Sequence, residues 1–233
     1  MPPRFGQSVY PAPLRPEEFR APLPPNQFGF EPDPVCLPGL PALPLTLAEM
    51  ELLLQGPVVD LGAIAEVAKR DASLTAQLLW LANRDREQSD RLYRIDACLV
   101  QLGISVLREL VRATPPLSPS DGRGSALLHH SRMTALAAED IAFQIPGLDP
   151  EKAYLAGLLH LLPELVSLEK SGACSRGIEE WPLPTFAWEV IRGFRHPFAV
   201  SGRESRLCEV VRSACEWVGQ ARLQAHTGID GPV

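Results

Sequence analysis

The distribution of proline divides this chain more sharply than any other feature. Thirteen of its 24 prolines fall between Pro2 and Pro44. Proline has no backbone N–H and a fixed φ, so this density blocks helix interiors and central strands alike. Residues 1–36 therefore read as an extended N-terminal segment, with a mobile tail favoured on composition. The spaced Phe5, Tyr10, Phe19, Phe28 and Phe30 leave open a strap laid along the folded body.

Beyond Pro44 the apolar residues take up a helical period. Leu45, Leu47, Met50, Leu53 and Leu54 share one side of a first helix, which Gly56-Pro57 ends. Asp60 has the chemistry to cap a second helix carrying Leu61, Ile64, Val67 and Ala68, and a third runs from near Ser73 to Asn83. Asn83 to Tyr93 is a loop of mixed charge, as expected of a solvated surface. Two shorter helices follow, separated at Gly103, and the Pro- and Gly-rich stretch 114–124 marks a boundary between subdomains. Further helices are expected over about Ser125 to Gln144, Pro150 to Glu169, Pro184 to Phe194 and Glu204 to Gln224. No alternating strand pattern of useful length is present, so the chain reads as all-α. Trp181, Trp188 and Trp217 are expected to pack the C-terminal helices, and Trp80 the N-terminal ones.

Charge and cysteine content narrow the function. A net charge of −6 speaks against a nucleic-acid footprint, which draws on clustered Lys and Arg. Cys36, Cys98, Cys174, Cys208 and Cys215 are odd in number and contain no CxxC pair, so buried, reduced thiols in a cytoplasmic setting are expected. No apolar run is long enough to span a bilayer, and no membrane partner is expected. Phosphate-binding loops, HExxH, GxSxG and dinucleotide fingerprints are absent from the sequence, and no cofactor is expected.

Arg70-Asp71-Ala72-Ser73-Leu74-Thr75-Ala76-Gln77-Leu78-Leu79-Trp80-Leu81-Ala82-Asn83 resembles the signature run of HDOD domains, a bacterial signalling family related to the HD metal phosphohydrolases. Ile95 to Gly103, Ser105 to Arg112 and Lys152 to His160 resemble further motifs of that family, in the same order. The resemblance covers about Pro38 to Gly219. It implies an all-helical HDOD fold over 37–225, with an N-terminal bundle (37–113) packed on an HD-like bundle (125–225) across a hinge at 114–124. A short tail, 226–233, follows.

HD hydrolases hold their ions with one His, an adjacent His-Asp pair and a distant Asp. By position, His130 and His160 resemble the two histidines, Leu161 stands in place of the paired Asp, and Cys215 in place of the distant one. A leucine has no lone pair to give, and two neutral imidazoles do not readily hold a hydrolytic ion with an open position for water. The positions read as vestigial, with no catalytic, cofactor-binding or metal-ligating residue. A His, His, Cys zinc set is a less favoured alternative, and Glu216, about 100° around an ideal helix from Cys215, is a poor substitute ligand. Pro163 should bend the helix that carries His160, because its ring clashes with the Leu159 carbonyl. His129 and His130 diverge in direction, so one should be at the surface and the other inside. Arg195-His196-Pro197 resembles a paired-His region of relatives and is expected in a surface loop.

The resemblance implies a non-enzymatic signalling or regulatory module that contacts another protein. No receiver or catalytic domain is visible in the sequence, so its output is expected through contacts in trans. Two alternatives remain: a divergent metal phosphohydrolase acting on nucleotides or cyclic dinucleotides, and a nucleotide or RNA binder using Arg132 or Arg195.

Overall fold

The computed structural model describes residues 39–167, 178–195 and 205–227, with side chains described to Ala221 except that of Glu179. All of them fall within one compact unit, Cys36–Val233. The Pro-rich segment 1–36 lies outside the described residues, as do Cys174 and 228–233.

Every named element among the described residues is helical: α1 (Pro44–Gln55), α2 (Leu61–Ala68), α3 (Ala72–Asn83), α4 (Ile95–Ala113), α5 (Gly122–Phe143), α6 (Pro150–Leu159), α7 (Leu162–Val166), α8 (Thr185–Arg195) and α9 (Arg206–Thr227). Short 3-10 turns occupy Gln88–Asp90 and Ile178–Glu180. No described helix is long and apolar enough to cross a membrane.

Aspartates begin four of these helices. Asp60 accepts from the Ala63 N–H at 3.1 Å, Asp121 from Gly124 at 2.8 Å, and Asp149 from Glu151 at 2.9 Å, each satisfying a donor that the first turn leaves unpaired. Asp71 does more, because its Oδ1 accepts from Ser73 and Leu74 at the start of α3 while its Oδ2 accepts from the Leu43 N–H at 2.7 Å. One buried side chain thus fixes both the start of α3 and the entry to α1. The Asn83 side chain clamps the following loop in the same way, donating to the Leu92 carbonyl at 2.8 Å and accepting from the Leu92 N–H at 2.7 Å.

Gly103, at φ 75° and ψ 163°, breaks α4 into two segments; this left-handed φ suits a residue without Cβ. The connector to α5 is tied back by an isolated parallel bridge between Ala42 and Pro116. There Ala42 N–H donates to the Pro115 carbonyl at 3.0 Å, and Leu117 N–H to the Ala42 carbonyl at 2.7 Å.

The largest apolar core joins α1–α4 to Leu155, Leu159, Leu162, Val166, Trp188 and Ile191 of the later helices. A second, smaller core lies among α5, α6, α8 and α9, and a third joins Ala72 and Leu117 to Leu128, Ala135, Leu158 and Leu165. The stretch 114–124 therefore connects two sets of helices that share buried residues.

Three sequence expectations need correction. Leu45 is exposed, since the inward stripe of α1 is Thr46, Met50 and Leu54. Trp217 is exposed, because α9 buries Leu207, Val211, Ala214 and Val218, and Trp217 lies beside that stripe. Trp181 and Trp188 are buried, but in the core shared with the N-terminal helices.

Burial pushes the Asp71 carboxyl up to about 6 from its usual 3.8, against the pull of its three N–H donors. The folded chain therefore keeps a proton in that interval which the unfolded chain has released, so this contribution to stability is present below 3.8 and lost as pH rises through about 6. Asp71→Asn should remove that contribution, seen as a smaller loss of the chemical-denaturation midpoint between pH 3.8 and about 6 than in the parent. Asp71→Ala should destabilise by about 2–4 kcal/mol, through loss of a helix cap and an orphaned buried N–H.

Candidate functional site

The geometry of the site begins with a missing side chain. At Gly157 on α6, an added Cβ would lie 2.9 Å from the Ala135 Cα and 3.1 Å from the Thr134 carbonyl oxygen on α5. Only glycine permits the two backbones to approach this closely. Three residues on, His160 ends α6 against His130 of α5, with ring centroids 5.5 Å apart and tilted by 54°. Cys215 enters from α9, its Sγ 3.3 Å from His130 Nε2, and the Thr134 hydroxyl lies 3.4 Å from the same nitrogen. Phe194 of α8 closes the other side, 4.9 Å from the His160 ring centroid. Arg212 stacks over Phe194, 5.3 Å from its centroid, and donates to the Gly193 carbonyl.

His160 is almost wholly buried, and its Nδ1 is 2.6 Å from the Gly157 carbonyl oxygen. A carbonyl only accepts, so the hydrogen resides on Nδ1 and the lone pair on Nε2. Burial, with a smaller contribution from His130, pulls this imidazole down to about 4, against the Gly157 carbonyl, so it is neutral near pH 7. Burial and the neighbouring Glu216 raise the Cys215 thiol, with Arg212 pulling the other way. Cys98 is pushed up to about 12 by burial and is an inert core thiol.

The structure thus brings His130, His160 and Cys215 together. Leu161 does not join them as a donor: it is half-buried hydrocarbon in the break between α6 and α7. The expected bend of one helix over Pro150 to Glu169 is a full interruption, and Glu169 lies outside the described residues. Pro163 lacks the N–H that would continue the ladder, so α6 stops at Leu159 and α7 restarts with the proline in its first turn. His129 is exposed and His130 half-buried, as two neighbours on one helix must diverge. Arg132 and Arg195 are both exposed. His196 and Pro197 lie outside the described residues. Sequence reasoning missed Gly157, Thr134 and Phe194; the signal for the first was a glycine in mid-helix, which costs stability unless close packing requires it.

These donors do not fit the carboxylate-held ions of an HD-type hydrolytic centre. Leu161 supplies no oxygen, and Cys215 offers sulfur where an oxygen ligand would stand.

The described body is all-α and of the HD-like helical class. Within that class the chain belongs to the HDOD family, whose domain pattern matches residues 40–180. Two solved chains of the MmoQ response regulator from Methylococcus capsulatus str. Bath share the fold. A fragment, 20–298, is 18% identical with a TM-score of 0.61, covering 83% of this chain and 93% of its own. The other is 17% identical with a TM-score of 0.60, covering 79% and 88% respectively. No curated protein matches the sequence.

The backbone approach at Gly157 yields a direct test. Gly157→Ala should force α5 and α6 apart and destabilise the chain by about 1–3 kcal/mol, the usual range for overpacking, as read from chemical denaturation. An unchanged midpoint would show that the contact is not tight.

Proposed function

We propose that this chain is a non-catalytic signalling module that works through contacts between its helix surfaces and another protein. The observation that carries this reading is Leu161, a hydrocarbon beside His160 in a fold whose hydrolytic relatives place a carboxylate there. Leu161 removes the carboxylate through which the hydrolytic relatives hold their oxygen-ligated ions and activate water.

Two further observations support the reading. The MmoQ chains that share the fold are described as response regulators. Large apolar side chains also stand in solvent at helical spacing: Leu136 and Phe143, seven residues apart on α5, with Phe143 82% exposed, and Trp217 on α9. Apolar side chains exposed along one helix face offer contact points for another protein.

Full-length protein supplied with manganese, iron or magnesium should turn over neither phosphomonoesters, phosphodiesters nor cyclic dinucleotides above the level of His160→Ala. Turnover abolished by that substitution would overturn the reading in favour of a divergent phosphohydrolase. A photo-crosslinker placed at Phe143 in native cells should capture a signalling protein, and Leu136→Asp should abolish the capture. Capture indifferent to Leu136→Asp would count against contact through this helix.

A further inference from the structure

Among the described residues, one ligand atom each from His130, His160 and Cys215 lies within 4.8 Å of the other two. We infer that these three side chains form a binding site for a zinc-type divalent cation, held by two imidazoles and one thiolate with the fourth position left to water. The site stands whether or not the chain turns over a substrate, since it rests on donor geometry alone.

Spacing is the first argument. A tetrahedral zinc with bonds of about 2.0 Å to nitrogen and 2.3 Å to sulfur sets its ligands about 3.3–3.6 Å apart. His130 Nε2 and Cys215 Sγ already stand at 3.3 Å. The remaining separations, none above 4.8 Å, exceed the tetrahedral spacing by about 1.5 Å at most.

His160 supplies the second, independent argument. Its Nδ1 is committed to the Gly157 carbonyl, which leaves Nε2 as the atom with a free lone pair. That nitrogen is buried and has no hydrogen-bond partner in the structure, on a residue only 1% exposed. A desolvated, unpartnered acceptor is costly, and a cation would satisfy it. A histidine that gives its other N–H to a backbone carbonyl is also the arrangement that fixes a metal-binding imidazole in orientation and tautomer.

Ligand chemistry selects the ion. Thiolate and imidazole favour zinc over magnesium, calcium or manganese, which need oxygen donors. Binding replaces the Cys215 S–H bond with a sulfur–metal bond and releases that proton to solvent. Because the donors come from α5, α6 and α9, the ion would join three helices of the C-terminal bundle.

The test uses the full chain with Cys36→Ser and Cys174→Ser, which removes the two thiols outside the described residues. After chelation and dialysis, zinc should bind at one equivalent per chain and raise the Tm, while magnesium should not. Cobalt in place of zinc should show the thiolate charge-transfer band and the strong visible bands of a tetrahedral site; this readout needs no site variant. Cys215→Ser should remove the sulfur band and weaken zinc by more than about a hundredfold, a larger loss than removal of an outer-shell group gives. His160→Gln should weaken it as well, with the helical circular dichroism retained. No rise in Tm, a cobalt spectrum without sulfur, or zinc affinity indifferent to Cys215→Ser would each overturn the site.

Discussion

The close approach of α5 and α6 at Gly157 is the contact on which the C-terminal half of the molecule depends. Backbone atoms of Ala135 and Thr134 occupy the space that any Cβ at 157 would need. From this contact follow the separation of the two helices, the seating of His160 against His130 and the direction in which the His160 ring points. The Gly157 carbonyl takes part as well, as the acceptor for His160 Nδ1. A single residue without a side chain therefore sets both the packing and the tautomer.

The buried polar groups are distributed to match. Asp71, Thr75, Gln77 and Asn83 all lie on α3 or at its start, and each makes a hydrogen bond to backbone elsewhere: Thr75 to the Ala68 carbonyl, Gln77 to the Leu40 carbonyl, Asn83 to Leu92. Buried polar groups cost stability unless paired, and pairing them to backbone fixes segments that apolar contacts alone would leave free to slide. This is the physical content of the sequence run from Arg70 to Asn83. Its apolar residues fill the core, and its polar ones bind the loops on either side to α3.

Much of the fold was legible in the sequence. The helical period, the Asp60 cap, the break at Gly103 and the family's motif order all pointed to an all-α body, because each is a local signal written within a few residues. The errors came where tertiary context decides. Trp217 reads as a core residue by composition, yet its position beside the inward stripe of α9 leaves it in solvent. Leu45 fails for the same reason, one residue from the buried Thr46. At the site, His130, His160, Leu161 and Cys215 were identified by resemblance, but their mutual distances depend on how three helices pack. The tautomer of His160 depends on a carbonyl three residues back, and no periodicity reveals that pairing.

The bridge between Ala42 and Pro116 bears on how such a body could transmit a change in shape. The stretch between α4 and α5 is held at both Pro115 and Leu117 by the backbone of Ala42, and the Leu117 side chain is itself buried. A swing about that stretch would act as a lever on the residue two places before α1. Displacing either end would pull on the other, so the start of the described chain and the junction of its two helical sets are mechanically one joint.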